Sequence, residues 1–212
     1  ALVAPLGGVF AYSGGTPPNV AAIRRAPVKA VDETAAGAAM HRDPNRQPPH
    51  NLHGTPALLI RLAPPDATAP KPLFTYGGAS RSAGAVACPH VSITFSGAFI
   101  STYDWAAGTG WLRSTPDGKF LAPSGKQIAP TNLVVLWVKD QSPEATVGRG
   151  DALVLRGGTL ARGTWDRTTV SDPFRLADST GATLRLSPGT TWVHLALVNN
   201  ATVSACPAPT AP

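Results

Sequence analysis

The chain has 212 residues, enough for one large domain or two small ones, and long enough to bury a core without metal or many disulfides. Only 14% of its residues are charged, against roughly 25% in ordinary soluble domains, and 22 prolines and 21 glycines point to a loop-rich β protein rather than a helical bundle. The net charge of +6 reflects a shortage of acids, 12 in all, and the dispersed basic residues form no run, which argues against a nucleic-acid partner and suits mild attraction to an anionic envelope surface.

Residues 2–10 are small and apolar. Ala11-Tyr12-Ser13-Gly14-Gly15-Thr16 then reads as strand, glycine turn and helix start, with Thr16 as N-cap and Pro17-Pro18 where missing backbone donors cost least. The helix is predicted to reach Arg25 and stop before Pro27. A Gly-Gly turn at a helix start can bind an anion, but more often it simply makes the corner. This one is neither a Walker loop nor a dinucleotide fingerprint. Residues 28–31 read as a short strand, and residues 35–40 fit no single pattern.

Residues 41–53 (HRDPNRQPPHNLH) are the most polar segment, and their prolines impose extended backbone and forbid a helix. His41, His50 and His53 raise the question of a metal site. Prolines 48 and 49 exclude the zincin helix, and Asp43 is the nearest carboxylate, so the competing reading is a stiff polar loop whose His50 and Asn51 bond backbone groups. Thr55 and Pro56 start a short helix that buries Leu58, Leu59 and Leu62 before Pro64-Pro65 ends it. Residues 64–82 read as a Pro/Ala/Gly-rich linker, with residues 72–76 (PLFTY) docked onto the body, and the boundary falls near Gly77.

From there strand follows strand. Val91, Ile93 and Phe95 alternate with Ser92 and Thr94, the period of a half-buried strand. Hairpins are predicted around Pro116-Asp117-Gly118, around Gly157-Gly158 and around residues 178–181. Residues 133–138 are apolar without a break and predict a central strand covered on both faces, while residues 192–198 read as the last strand. Regular turn signals argue for a β-sandwich or a strongly curved sheet. Cys88 and Cys206 are the only cysteines, which favours one disulfide and an oxidising compartment over two unrelated buried thiols. With no signal-like stretch and no transmembrane run, and with Ala1 in mid-pattern, the chain reads as a processed or truncated product.

Catalytic arrangements are thin. Ser13 lacks the Gly-x-Ser-x-Gly elbow, and Cys88 is followed by Pro89 and claimed by the disulfide. Asp104 and Asp166 are the best carboxylate pair, yet each lies beside a tryptophan in strand context. A binding surface asks for less. Tyr103, Trp105, Trp111, Trp137, Trp165 and Trp192 are many rings for one β domain; some must be core, and two or three on one face would make a platform.

Six segments carry a family resemblance: residues 10–15 (FAYSGG), 42–52 (RDPNRQPPHNL), 103–113 (YDWAAGTGWLR), 132–138 (NLVVLWV), 158–165 (GTLARGTW) and 188–193 (PGTTWV). In these, and in their order, the chain resembles the C-terminal two-thirds of the YerB-like bacterial lipoproteins, a family of unknown function, and its Ala-, Pro- and Arg-rich composition is similar to that of actinobacterial members. The resemblance implies a secreted, often lipid-anchored envelope protein and brings no catalytic assignment. The family's usual N-terminal portion, signal and lipid-attachment cysteine are outside this sequence. Residues 2–12 would then pair with that portion or with a second chain, or form an exposed edge.

The expectation is an α+β fold, with a small mixed α/β region over 1–77 and a dominant antiparallel β region over 83–206. The expected function is that of an extracytoplasmic cell-envelope module that binds or assembles a wall polymer, a peptide or a protein partner, without cofactor or metal. Its candidate residues are Arg46, His50 and Asn51 from the polar loop with Tyr103, Asp104, Trp105 and Arg113 from the β unit; the arginines would engage anionic groups and the rings would stack. The rivals are a wall-active hydrolase or transferase with His50 as general base and a structural subunit of a larger envelope assembly.

Overall fold

The computed structural model describes residues 2–49, 51–67, 69–78, 82, 84–97, 99–142 and 144–206. They divide into two compact units: the described residues up to Leu73 with Thr169–Pro173, and Phe74–Thr168 with the chain from Phe174 onward.

The first unit is the mixed part of the α+β fold. Strand β1 (Val9–Ala11), helix α1 (Pro17–Arg25) and strand β2 (Lys29–Val31) form a crossover unit in which β1 and β2 pair in parallel. Helix α1 starts at its two prolines; Thr16 caps it through its carbonyl, which accepts from Val20 N at 3.0 Å, and its side chain makes no capping bond. Next come α2 (Glu33–Ala36), capped by Asp32 Oδ1 on Ala35 N at 2.9 Å, β3 (Met40–Arg42), β4 (Leu52–Gly54) and α3 (Pro56–Ile60). Strands β3 and β4 pair antiparallel across the polar segment, with His41 opposite His53. Val31, Ala36 and Ala39 make a small core against which Leu58, Leu59 and Leu62 pack.

The second unit is a sandwich. Its strands are β5 (Val86–Ala87), β6 (His90–Ser96), β7 (Phe99–Ala106), β8 (Gly110–Thr115), β9 (Gly118–Lys119), β10 (Asn132–Val138), β11 (Gly148–Arg156), β12 (Thr159–Arg167), β13 (Arg175–Ala177), β14 (Thr191–Leu197) and β15 (Thr202–Ala205). One sheet runs β13-β12-β11-β10-β14, with β5 added to β12; the other runs β15-β6-β7-β8-β9. Val91, Ile93, Tyr103 and Trp111 from the second sheet interlock with Leu133, Val135, Leu153 and Leu155 from the first in one core. Strand β10 is buried along nearly its whole length between β11 and β14, the place its unbroken apolar run predicts. Its partner β14 runs parallel to it, because the chain spends β11, β12 and β13 returning before β14 is laid down.

Strand β15 pairs antiparallel with β6 and is not anticipated from the sequence, where Thr202-Val203-Ser204-Ala205 is too short and too weakly apolar to stand out. Cys88 and Cys206 form a disulfide with S–S 2.05 Å, and Cys206 N donates to His90 O at 3.2 Å. The bond fastens the chain just ahead of β6 to the residue just past β15. Among the described residues no helix is long and apolar enough to cross a membrane.

Candidate functional site

Strand alternation decides which side chains meet inside the sandwich. On β7 it turns Ser101, Tyr103 and Trp105 inward, on β8 Trp111 and Arg113, and on β14 Trp192, His194 and Ala196. Tyr103 is fully buried, and its hydroxyl lies 2.8 Å from Nε2 of His194, itself buried. The two rings meet edge to face at 5.5 Å, and Phe95 lies 5.3 Å from the imidazole. Burial pushes the Tyr103 phenol up to about 12, against the opposing charge of Arg113. Burial also drives His194 down to about 4, and here the Arg113 charge adds to the effect. At neutral pH the pair is therefore an uncharged hydrogen-bonded couple.

Arg113 stands directly across from Tyr103 in the β7–β8 ladder. Its guanidinium lies 3.9 Å from the centre of the Phe120 ring and 5.0 Å from that of Trp192, and these rings meet edge to face at 6.4 Å. Nη2 donates to Ser101 Oγ at 3.2 Å, whereas Nε is buried without a hydrogen-bond partner. Among the described residues no carboxylate forms an ion pair with this cation. Phe120 is held through its backbone, donating to Arg113 O at 3.0 Å and accepting from Ile128 N at 2.9 Å, while the residue is 39% exposed. The result is a half-buried positive charge with rings against the guanidinium and an N–H edge incompletely bonded. It is suited to holding an anion. Within it Ser101 Oγ accepts from Arg113, and His194 is bonded to the Tyr103 hydroxyl.

Of the residues singled out from the sequence, Tyr103 and Arg113 come together here. Trp105 lies on the same face, half-buried, with its ring 5.3 Å from Trp111. Asp104 points to the other face, where its Oδ1 sits 2.6 Å from Nδ1 of exposed His90. Tyr103, Asp104 and Trp105 therefore do not share one surface, and buried Tyr103 offers no open ring. Arg46 and Asn51 belong to the first unit. Asn51 is buried, accepts from Arg42 Nη1 at 2.8 Å and donates to Asp43 O at 3.3 Å, and Arg42 also forks onto Glu33. Arg46 Nε lies 3.6 Å from Asp43. His50 lies outside the described residues. The His41 and His53 rings stack at 5.8 Å, and among the described residues no group of three or more potential metal ligands is gathered. Ser101, Phe120 and His194 are site members that sequence reasoning missed. The one available signal was a lone polar residue in the inward series Trp192, His194, Ala196.

Residues 91–193 match the family described as protein of unknown function (DUF3048), C-terminal domain. The match includes Ser101, Tyr103, Arg113, Phe120 and Trp192, and ends one residue before His194. Among solved structures, the crystal structure of the YerB protein from Bacillus subtilis is similar with a TM-score of 0.68, covering 92% of this chain and 70% of that chain at 16% identity. At that identity the likeness is one of fold. No curated protein matches the sequence significantly.

Proposed function

From a chain that carries a YerB-like domain of unknown function, we propose an extracytoplasmic module of the cell envelope that binds or assembles a protein, peptide or wall polymer without turning it over. The observation that carries this reading is Arg113, a half-buried cation lying against Phe120 and Trp192 with no acidic partner among the described residues. Buried charges are normally paired, so a guanidinium supplied with hydrophobic walls and no counter-charge suits a partner that brings one. The Cys88–Cys206 bond supports an oxidising compartment.

In-cell photocrosslinking tests the reading. A benzophenone side chain at Leu121, 52% exposed beside Phe120, is expected to capture an envelope component, and Arg113→Gln is expected to abolish the adduct. The same probe at Thr94, on β6 and away from the Phe120 edge of that sheet, should capture nothing comparable. An adduct from Thr94 alone, or none from either position, rejects the reading.

A further inference from the structure

Resting on that reading, we propose that the group held by Arg113 is a carboxylate, taken at the guanidinium edge, with the Phe120 ring as its cover. Three features of the site select this chemistry. Phe120 and Trp192 lie against the guanidinium on two adjacent sides, and the group on it left without a bond is on the N–H edge. On that edge Nη2 donates to the neutral hydroxyl of Ser101, the guanidinium also faces the Tyr103 hydroxyl, and Nε has no hydrogen-bond partner. A planar carboxylate fits such a fork with two parallel hydrogen bonds.

Charge balance points the same way. Arg113 is the one cation of a cluster otherwise made of Ser101, Tyr103, His194 and the rings of Phe95, Phe120 and Trp192, and His194 and Tyr103 are neutral. One positive charge matches a monoanion, whereas a phosphate near its dianionic state calls for several arginines.

Access runs past Phe120. Its backbone is pinned on both sides, to Arg113 O and from Ile128 N, so the movable part is the ring.

The test is an NMR titration of the intact chain, following the Arg113 Nε–H and Trp192 Nε1–H resonances. N-acetyl-alanine presents a chain-end carboxylate, N-acetyl-glutamate diamide cannot serve because its acid is blocked, and N-acetyl-glutamate α-amide presents a side-chain carboxylate. N-acetyl-alanine amide is the neutral control, and inorganic phosphate is the competing anion. At least one free carboxylate compound is expected to shift both resonances, and whichever binds more tightly identifies the source; the two amides without a free acid should shift neither. Arg113→Lys keeps the charge but loses the fork, and it should weaken binding at least tenfold, read on Trp192, while leaving the unfolding midpoint near that of the parent. Silence from both carboxylates, binding by phosphate at lower concentration than either, or undiminished binding by the lysine variant each overturns the assignment. Envelope crosslinking from Leu121 that persists alongside such a result would leave the binding reading standing and remove only the carboxylate; loss of the crosslink with intact carboxylate shifts would do the reverse.

Discussion

His194 sits where an imidazolium is costly, walled in by Phe95 and Tyr103 and facing the charge of Arg113. The unfolded chain takes up this proton near pH 6.5, while the folded chain resists it until about 4. Between those values the unfolded state binds more protons, so the contribution of a neutral His194 is complete above pH 6.5 and lost as pH falls toward 4. A shift of this size corresponds to roughly 3 kcal/mol. Urea unfolding at pH 4.5 and 7.5 should show a stability difference of that order, reduced in His194→Gln; an unchanged slope in the variant would place the acid sensitivity elsewhere. Tyr103 and Arg113 were legible as candidates because an aromatic and an arginine in a patterned strand draw notice. His194 was not, because one sequence records that a residue is polar but not which neighbours it will face across the sandwich.

The β11–β12 hairpin shows local chemistry and packing acting together. Its two-residue turn, Gly157-Gly158, has φ of 56° and 72°, the left-handed values that a tight hairpin asks for and that glycine adopts without steric cost. A Cβ on Gly157 would meet nothing within 4 Å, but one on Gly158 would lie 2.6 Å from the Trp105 ring. Gly157→Ala should therefore lose about 1 kcal/mol for backbone strain. Gly158→Ala should lose a further 1–3 kcal/mol, roughly, for overpacking. Equal losses in a denaturant series would mean that Trp105 gives way freely. Turns of this kind, the helix start at Pro17 and the central β10 are readable because each depends on residues adjacent in the chain. The parallel β10–β14 pair and the placing of β15 beside β6 depend on partners far apart in sequence, which neither period nor turn chemistry specifies.

On the scale of the whole molecule, the disulfide joins residues 118 apart and spans nearly all of the sandwich. Such a crosslink restricts the unfolded chain strongly, and replacing both cysteines by serine is expected to cost on the order of 2–5 kcal/mol. The shift of the urea midpoint between parent and double variant, under oxidising conditions, measures it, and coincident midpoints would show that the sheets hold β15 without help. The pairing was open to inference because only two cysteines exist, so one intramolecular bond was the natural reading. That scarcity also governs how the protein matures. Within these 212 residues a single thiol pair admits one intramolecular bond, so no scrambled isomer arises among them. Cys206 becomes available only after the rest of the sandwich has been synthesised. Until then Cys88 has no partner within these residues, and its thiol can link with another copy.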